Sequence, residues 1–280
     1  MRKQKKIKVS KIIIYLVLSL WAITTIYPFI WVLINSFKPK NRILVDSFYI
    51  PFKDFTLDNY IKAFTGRYNV FKAYGNSLLI SVSVVIAVLI IAGMASFILA
   101  RYEFKGKKVF YGFIIASMMF PIFSIIYPLY SIISRLNLVE NHLGVILPQI
   151  AGNLSFAIVI LTGFMEQLPR EVEESAYIDG ASTLQILFRL IIPMSKSAFA
   201  TTSIFVFLWS YNDLFLQMLI LKDPDKMPVS ALLREISSKY GTDFGLMASS
   251  VALIAIPIII VYFLLQKHII KGLTAGAIKG

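Results

Sequence analysis

The 280-residue chain is 58% hydrophobic and only 15% charged, with a mean hydropathy of +0.75, a composition that excludes a soluble globular protein. Its formal net charge of +13 comes from basic residues grouped between apolar runs, which points to lipid headgroups as partner and away from nucleic acid. With no cysteine, the chain has no disulfide framework and no thiolate metal site or nucleophile.

Residues 1–11 form a basic tail with Arg2, Lys3, Lys5, Lys6, Lys8 and Lys11 and no acid, the composition of a cytoplasmic anchor. An apolar run at 12–34 follows. It exceeds the ~7–15 residues of a signal-peptide core, and Asn35-Ser36-Phe37-Lys38-Pro39-Lys40 after it offers no small-residue cleavage site, so it reads as an uncleaved span. Residues 36–75 are a long mixed segment, too polar to span and rich in Phe and Tyr. A second span is predicted at 76–100, where Ala92, Gly93, Ala95 and Ser96 permit close helix packing. The tight basic loop 101–108 carries Arg101, Lys105, Lys107 and Lys108. A third span covers 109–133, with Pro121 and Pro128 as expected kinks, and a fourth covers 145–164. A fifth covers 198–221, then a polar external loop 222–245, a sixth span 246–265 with Pro257 inside it, and a glycine-rich tail 266–280. Each run reaches or exceeds the ~20 residues that cross a ~30 Å hydrocarbon layer. This organisation is all-α: one membrane domain at 12–265 with both termini on the cytoplasmic side. The basic residues divide only 16 to 12 in favour of that side, so the orientation rests on the N-terminal tail and the 101–108 loop.

Between the fourth and fifth spans lies 167–194, too acidic for lipid and too well punctuated for a loose linker. Pro169 stands where a first helical turn begins, and Glu171, Glu173 and Glu174 favour the positive end of that helix. Gly180 stands where the helix stops. Ser182-Thr183-Leu184-Gln185 has the form of a capping box that starts a second helix, and Pro193 closes it. The expectation is a helix, a glycine turn and a second helix on the membrane surface. Leu184, Leu187, Leu190 and Ile191 fall on one face of the second helix with Ile186 beside them, and that stripe needs cover. Either the chain's own spans or a groove in a separate partner would supply it.

No H-E-x-x-H, G-x-S-x-G or glycine-rich phosphate loop is present, and Gly106-Lys107 lacks the preceding glycine of a P-loop. No catalytic residue, metal or cofactor is expected, and any ATP that drives the protein is hydrolysed by another subunit. The only histidines, His142 and His268, fall in different loops on opposite faces of the predicted membrane. Asp213 is the one acid inside a predicted span, where a charge at mid-bilayer costs ~2.5–3.5 kcal/mol or more. Two readings stand: Asn212 and Asp213 line a substrate pathway, or they sit at the headgroup boundary in an aromatic belt with Trp209 and Tyr211.

Glu174-Ser175-Ala176-Tyr177-Ile178-Asp179-Gly180, with Pro193 thirteen residues beyond Gly180, resembles the EAA motif of ABC importer permeases. Ser175 replaces the family's first alanine, and Leu190 and Ile192 replace its Ile and Leu. The stretches 27–31 with 35–38, 95–102, 211–213, 240–243 and the terminal Gly-Leu-Thr-Ala-Gly-Ala-Ile-Lys-Gly are similar to the carbohydrate (maltose-type) branch, on the side of the six-span partner permease. The resemblance implies a type I importer fold with six transmembrane helices and a cytoplasmic coupling helix pair. It implies ATPase coupling through Glu174, Ala176, Asp179, Gly180, Leu184, Leu187, Leu190 and Pro193. It further implies contact of Tyr240, Gly241 and Asp243 with an extracellular or periplasmic solute-binding protein, and of Gly272, Thr274 and Gly276 in the tail with the ATPase dimer. The partners would be that ATPase dimer, a second homologous permease and the solute-binding protein, in a bacterial cell membrane. The rivals are the same fold serving a polyamine or phosphate, a membrane scaffold, and a stand-alone secondary transporter. The last would be expected to show repeated halves, and none is visible.

Overall fold

The computed structural model describes residues 9–65, 69–239, 243–256, 259–260 and 263, and among these there are helices and turns and no strand. The chain divides into two compact units, Met1–Val70 with Leu233–Ile256, and Phe71–Leu232 with Pro257–Gly280.

In the first unit α1 (Val9–Ser36) is apolar on every side, and none of its most apolar window is covered by the rest of the chain. A helix hydrophobic all round with no protein cover belongs in lipid or against another chain. Its end is tied by a polar knot together with α2 (Lys40–Val45) and α3 (Asp58–Thr65). Asn35 Nδ2 donates to the Ser47 carbonyl (3.0 Å), Ser36 Oγ meets the Tyr60 hydroxyl (2.7 Å), and the buried Lys38 amine donates to the carbonyls of Asp46 (3.2 Å) and Ser47 (3.0 Å). Burial pushes the Lys38 amine down, against the opposing pull of Asp46. Asn59 closes the knot by donating to the Ser36 (2.9 Å) and Lys38 (2.8 Å) carbonyls. These residues show why the polar end of a span tolerates burial: each buried donor named has an acceptor.

The second unit contains α4 (Val70–Arg101) from Phe71 on, α5 (Lys107–Ser117), α6 (Ile122–Arg135), α7 (Leu143–Met165), α8 (Glu171–Ile178) and α9 (Thr183–Ile186). A π-helical turn (Leu187–Ile191), α10 (Ile192–Met194), α11 (Lys196–Asn212), α12 (Leu214–Ile220) and the start of α13 (Val229–Lys239) complete it. Its core is built on two rows at every fourth residue. Ile80, Val84, Val88, Ala92 and Ser96 are buried along α4, and Val145, Gln149, Asn153, Ala157, Leu161 and Met165 along α7. Residues four apart share a helix face, so each helix buries one stripe and leaves the other side apolar and open. The small Ser96 lets the helices approach, and its hydroxyl donates to the Ile158 carbonyl (3.1 Å).

Two predicted spans are not continuous helices. The third breaks between α5 and α6, which meet at 98°. Pro121 sits before α6 with extended backbone and no N–H to continue α5, whereas Pro128 lies inside α6 without ending it. The fifth breaks at Asp213, between α11 and α12. Three described helices are long and apolar enough to cross a membrane, or five if each bent pair is one span, and the apolar helix Phe244–Ile256 occupies the start of the predicted sixth. The rest of that span lies mostly outside the described residues, and the segment 222–245, predicted as an external loop, contains the helix α13.

Candidate functional site

The segment 167–194 folds as the predicted helix pair. Arg170 stands at the N-cap of α8, where its carbonyl accepts from the N–H groups of Glu173 (2.9 Å) and Glu174 (3.0 Å). The helix ends in a Schellman motif: Gly180 adopts φ +79°, its N–H bonds the Tyr177 carbonyl (3.0 Å), and the Ala181 N–H reaches back to Ala176 (2.9 Å). The left-handed conformation is what calls for glycine there. Ser182 then opens the second helix with a complete capping box: its N–H donates to Gln185 Oε1 (2.8 Å) and its Oγ accepts from the Gln185 N–H (3.4 Å).

Pro193 does not close this helix abruptly. The helix widens to π-type bonding over Leu187–Ile191, with the Ile192 N–H on the Leu187 carbonyl. A wide turn just before a proline makes room for a ring that would otherwise crowd the carbonyl four residues earlier. The chain then turns by 78° at Ser195 into α11, so the second helix of the pair and α11 are consecutive.

The apolar stripe of the second helix is divided. Ile186, Leu187 and Ile191 are buried in the unit's own core, and Leu190 packs against it, so Leu187 is not available to a partner. Leu184 is 63% exposed and Phe188, which sequence reasoning passed over, is 54% exposed. On α8, Glu174 is exposed and Ile178 is 86% exposed. Glu174 and Ile178, like Leu184 and Phe188, are four residues apart and so form one outward row on each helix. Between the helices lies a crevice of about 400 Å³, lined by Ala176, Asp179, Gly180, Gln185, Arg189 and Leu190 among others.

The inward face of α8 carries a contact that the sequence did not reveal. Glu173 forms an ion pair with Arg101 at the end of α4 (Oε1 to Nε, 2.6 Å), and both side chains are buried. Arg101 Nη2 also donates to the Leu168 carbonyl (3.2 Å), and Tyr102 meets Tyr177 hydroxyl to hydroxyl (3.0 Å). That hydroxyl contact, followed by burial, pushes the Tyr102 phenol up. Three glutamates in one turn and a basic loop sixty-odd residues earlier give no local signal for this pairing.

Asn212 and Asp213 diverge. Asn212 is exposed and donates to the Leu208 carbonyl (2.8 Å). Asp213 is committed on both oxygens: Oδ1 accepts from the Leu216 N–H (3.2 Å) and caps α12, and Oδ2 accepts from Gln149 Nε2 (2.9 Å). Gln149 Oε1 in turn accepts from Ser210 Oγ (2.6 Å), Gln217 Nε2 donates to the Ser210 carbonyl (2.8 Å), and Ser230 donates to Gln217. The acid is therefore a helix cap inside a polar network joining α7 to a broken span, a role that the sequence did not signal.

Residues 221–229 are pinned to the same unit. The Glu140 carboxylate accepts from the N–H groups of Lys222 (2.9 Å) and Asp223 (3.1 Å), His142 Nε2 meets the Lys226 carbonyl (3.0 Å), and Asn76 Nδ2 donates to the carbonyls of Asp225 (2.9 Å) and Met227 (3.1 Å). Asp243 Oδ1 accepts from the N–H groups of Gly245 and Leu246 (3.2 Å each), so its side chain is occupied in starting the apolar helix Phe244–Ile256. Tyr240, Gly241, Gly272, Thr274, Gly276 and His268 lie outside the described residues. Among the described residues no group of His, Asp and Glu is arranged to hold a metal.

Residues 91–275 match the family of binding-protein-dependent transport system inner membrane components. The chain is 31% identical over 264 residues to the diacetylchitobiose uptake system permease protein NgcG of Streptomyces coelicolor, covering 94% of this chain and 87% of that one. It is 32% identical to the galactooligosaccharides transport system permease protein GanQ of Bacillus subtilis, over 95% of this chain and 94% of that one. To the trehalose/maltose transport system permease protein MalG of Thermococcus litoralis it is 30% identical, over 97% and 98%. Among solved structures, a bacterial ABC transporter involved in the import of the acidic polysaccharide alginate superposes with a TM-score of 0.82 at 22% identity, over 95% of this chain and 99% of that one.

Proposed function

The chain belongs to the family of binding-protein-dependent transport system inner membrane components, and from that premise we propose that it is the permease subunit of an ATP-driven importer of oligosaccharides. The observation that carries this reading is the outward row Glu174, Ile178, Leu184 and Phe188 on a doubly capped helix pair. Three large apolar side chains and a carboxylate on a surface outside the predicted spans suit a groove with a basic rim in a soluble partner, recognised as a helix in a groove. That partner is an ABC ATPase dimer, since the chain has no phosphate loop of its own. The permease works with a second, homologous permease and a solute-binding protein delivers the cargo from outside. An oligosaccharide is favoured over a polyamine or phosphate because three relatives at 30–32% identity over nearly the whole chain are named for the uptake or transport of such sugars.

In this mechanism, closure of the ATPase dimer on ATP draws the helix pairs of the two permeases together, and the spans swing between inward-open and outward-open states. A nucleotide in one subunit shifts a gate in another only through contacts that differ between the two states. The capped pair supplies a stiff element for those contacts. Both termini and the 167–194 segment face the cytoplasm, and the 222–245 loop faces the binding protein. The Glu174→Lys variant tests the assignment: insertion into the membrane is expected to be intact and ATP hydrolysis uncoupled from sugar uptake. Normal uptake by Glu174→Lys would sink it.

A further inference from the structure

The two helices of the pair reach the membrane domain by different routes. The second helix runs through Ser195 directly into α11, and α8 is joined by five residues to the end of α7. Their movements are passed to α7 and α11 along the covalent chain. α4 has no such connection, because sixty-nine residues separate Arg101 from Glu171. Beside the buried core in which Phe97, Leu99 and Ala100 sit with Ile186, Leu187 and Ile191, what joins α4 to α8 is a set of polar side-chain contacts on its last turn and the residue after it. Arg101 holds Glu173 (2.6 Å) and the Leu168 carbonyl (3.2 Å), and Tyr102 holds Tyr177 (3.0 Å). Glu173 and Tyr177 are four apart, so they present one face of α8 to α4 while Glu174 and Ile178 present the other side outward.

We infer that Arg101 and Tyr102 form a clamp that makes α4 follow α8, so that movement of the helix pair is delivered to a third span. The inference rests on the reading of this pair as the ATPase-docking element. A buried ion pair adds little net stability over a well-packed apolar pair, but it fixes position, since removing either partner strands the other charge. α4 is a single helix of 32 residues, about 48 Å long at ~1.5 Å per residue, and a displacement imposed at Arg101 is carried along it as along a rod. Arg101 and Tyr102 are positioning residues, acting on the gate through α4.

The chain has no cysteine, so maleimide on this chain, resolved from its partners by electrophoresis, reads only an introduced position. Single cysteines are introduced at Ile90→Cys on α4 or Leu208→Cys on α11, and the whole transporter is purified through a tag on this chain into nanodiscs. The rate of maleimide labelling is compared without nucleotide and with ATP plus vanadate. In the parent complex both positions are expected to respond to ATP. In Glu173→Gln, which keeps the side-chain shape, the ATP response at Ile90→Cys is expected to fall at least fivefold, the lower end of common coupling strengths, while that at Leu208→Cys persists. The reversed pair Arg101→Glu with Glu173→Arg is expected to restore the response on α4. Retention of both responses in Glu173→Gln overturns the clamp. Loss of both marks a merely structural role and overturns it as well. A reversed-pair complex that accumulates but leaves α4 silent does the same. A parent complex silent at both positions contradicts the docking reading itself, and the clamp with it.

Discussion

Glu173 and Glu174 are neighbours in sequence with opposite environments, and the contrast is measurable. Glu173→Ala would leave Arg101 buried without its counter-charge, a change that costs ~3–5 kcal/mol. Glu174→Ala removes an exposed carboxylate and is expected to stay within ~0.5 kcal/mol. Thermal unfolding of the detergent-solubilised protein separates them; equal losses would contradict the assigned geometry. Two glycines make a similar pair. A methyl group at Gly180 meets nothing within 4 Å, so Gly180→Ala carries only the backbone penalty of φ +79°, ~1–2 kcal/mol. At Gly144 the added carbon would stand 2.2 Å from the Leu138 carbonyl oxygen, and Gly144→Ala is expected not to accumulate in the membrane. The stop at Gly180 was legible in the sequence because its signal is local. The crowding at Gly144 was not, since it depends on a tight turn in which Asn137 and Glu140 take positive φ.

At the scale of elements, local chemistry again decided what could be read. The Ser182–Gln185 capping box formed as its spacing required, and Ser182→Ala is expected to cost ~0.5–2 kcal/mol, measurable by thermal unfolding of the same solubilised protein. The breaks in the third and fifth spans were less legible. Hydropathy registers apolar length and is blind to direction, so residues 109–133 read as one kinked span although α5 and α6 diverge by 98°. Asp213 looked like an intramembrane charge because no sequence signal shows that α11 stops at Asn212. Asn caps a helix about as well as Asp, and a flip of the Gln149 amide, with Ser210 Oγ then accepting from its Nε2, keeps the second bond, so Asp213→Asn is expected to keep uptake near the parent rate. Asp213→Ala, which removes the cap and strands Gln149, is expected to lose stability; a transport defect in Asp213→Asn at full stability would support the pathway reading. The leucine stripe was half right: periodicity found a face of the second helix, and tertiary packing then took Leu187 inward and left Leu184 and Phe188 out.

The whole molecule is a membrane domain with a capped surface pair that presents one carboxylate and three large apolar groups outward. The uncovered apolar α1 and the open sides of α5 and α6 are consistent with a chain that does not work alone. On the proposed reading, oligosaccharide uptake through this chain is driven by ATP hydrolysed on a partner docked at 167–194. The most direct measurement is uptake of a panel of labelled oligosaccharides into vesicles that hold the complex purified through this chain, with its solute-binding protein outside and ATP or ADP inside. Uptake of at least one oligosaccharide is expected with ATP, none with ADP, and none with ATP in the Glu174→Lys complex. Uptake that proceeds equally with ADP, or that Glu174→Lys leaves unchanged, would contradict it.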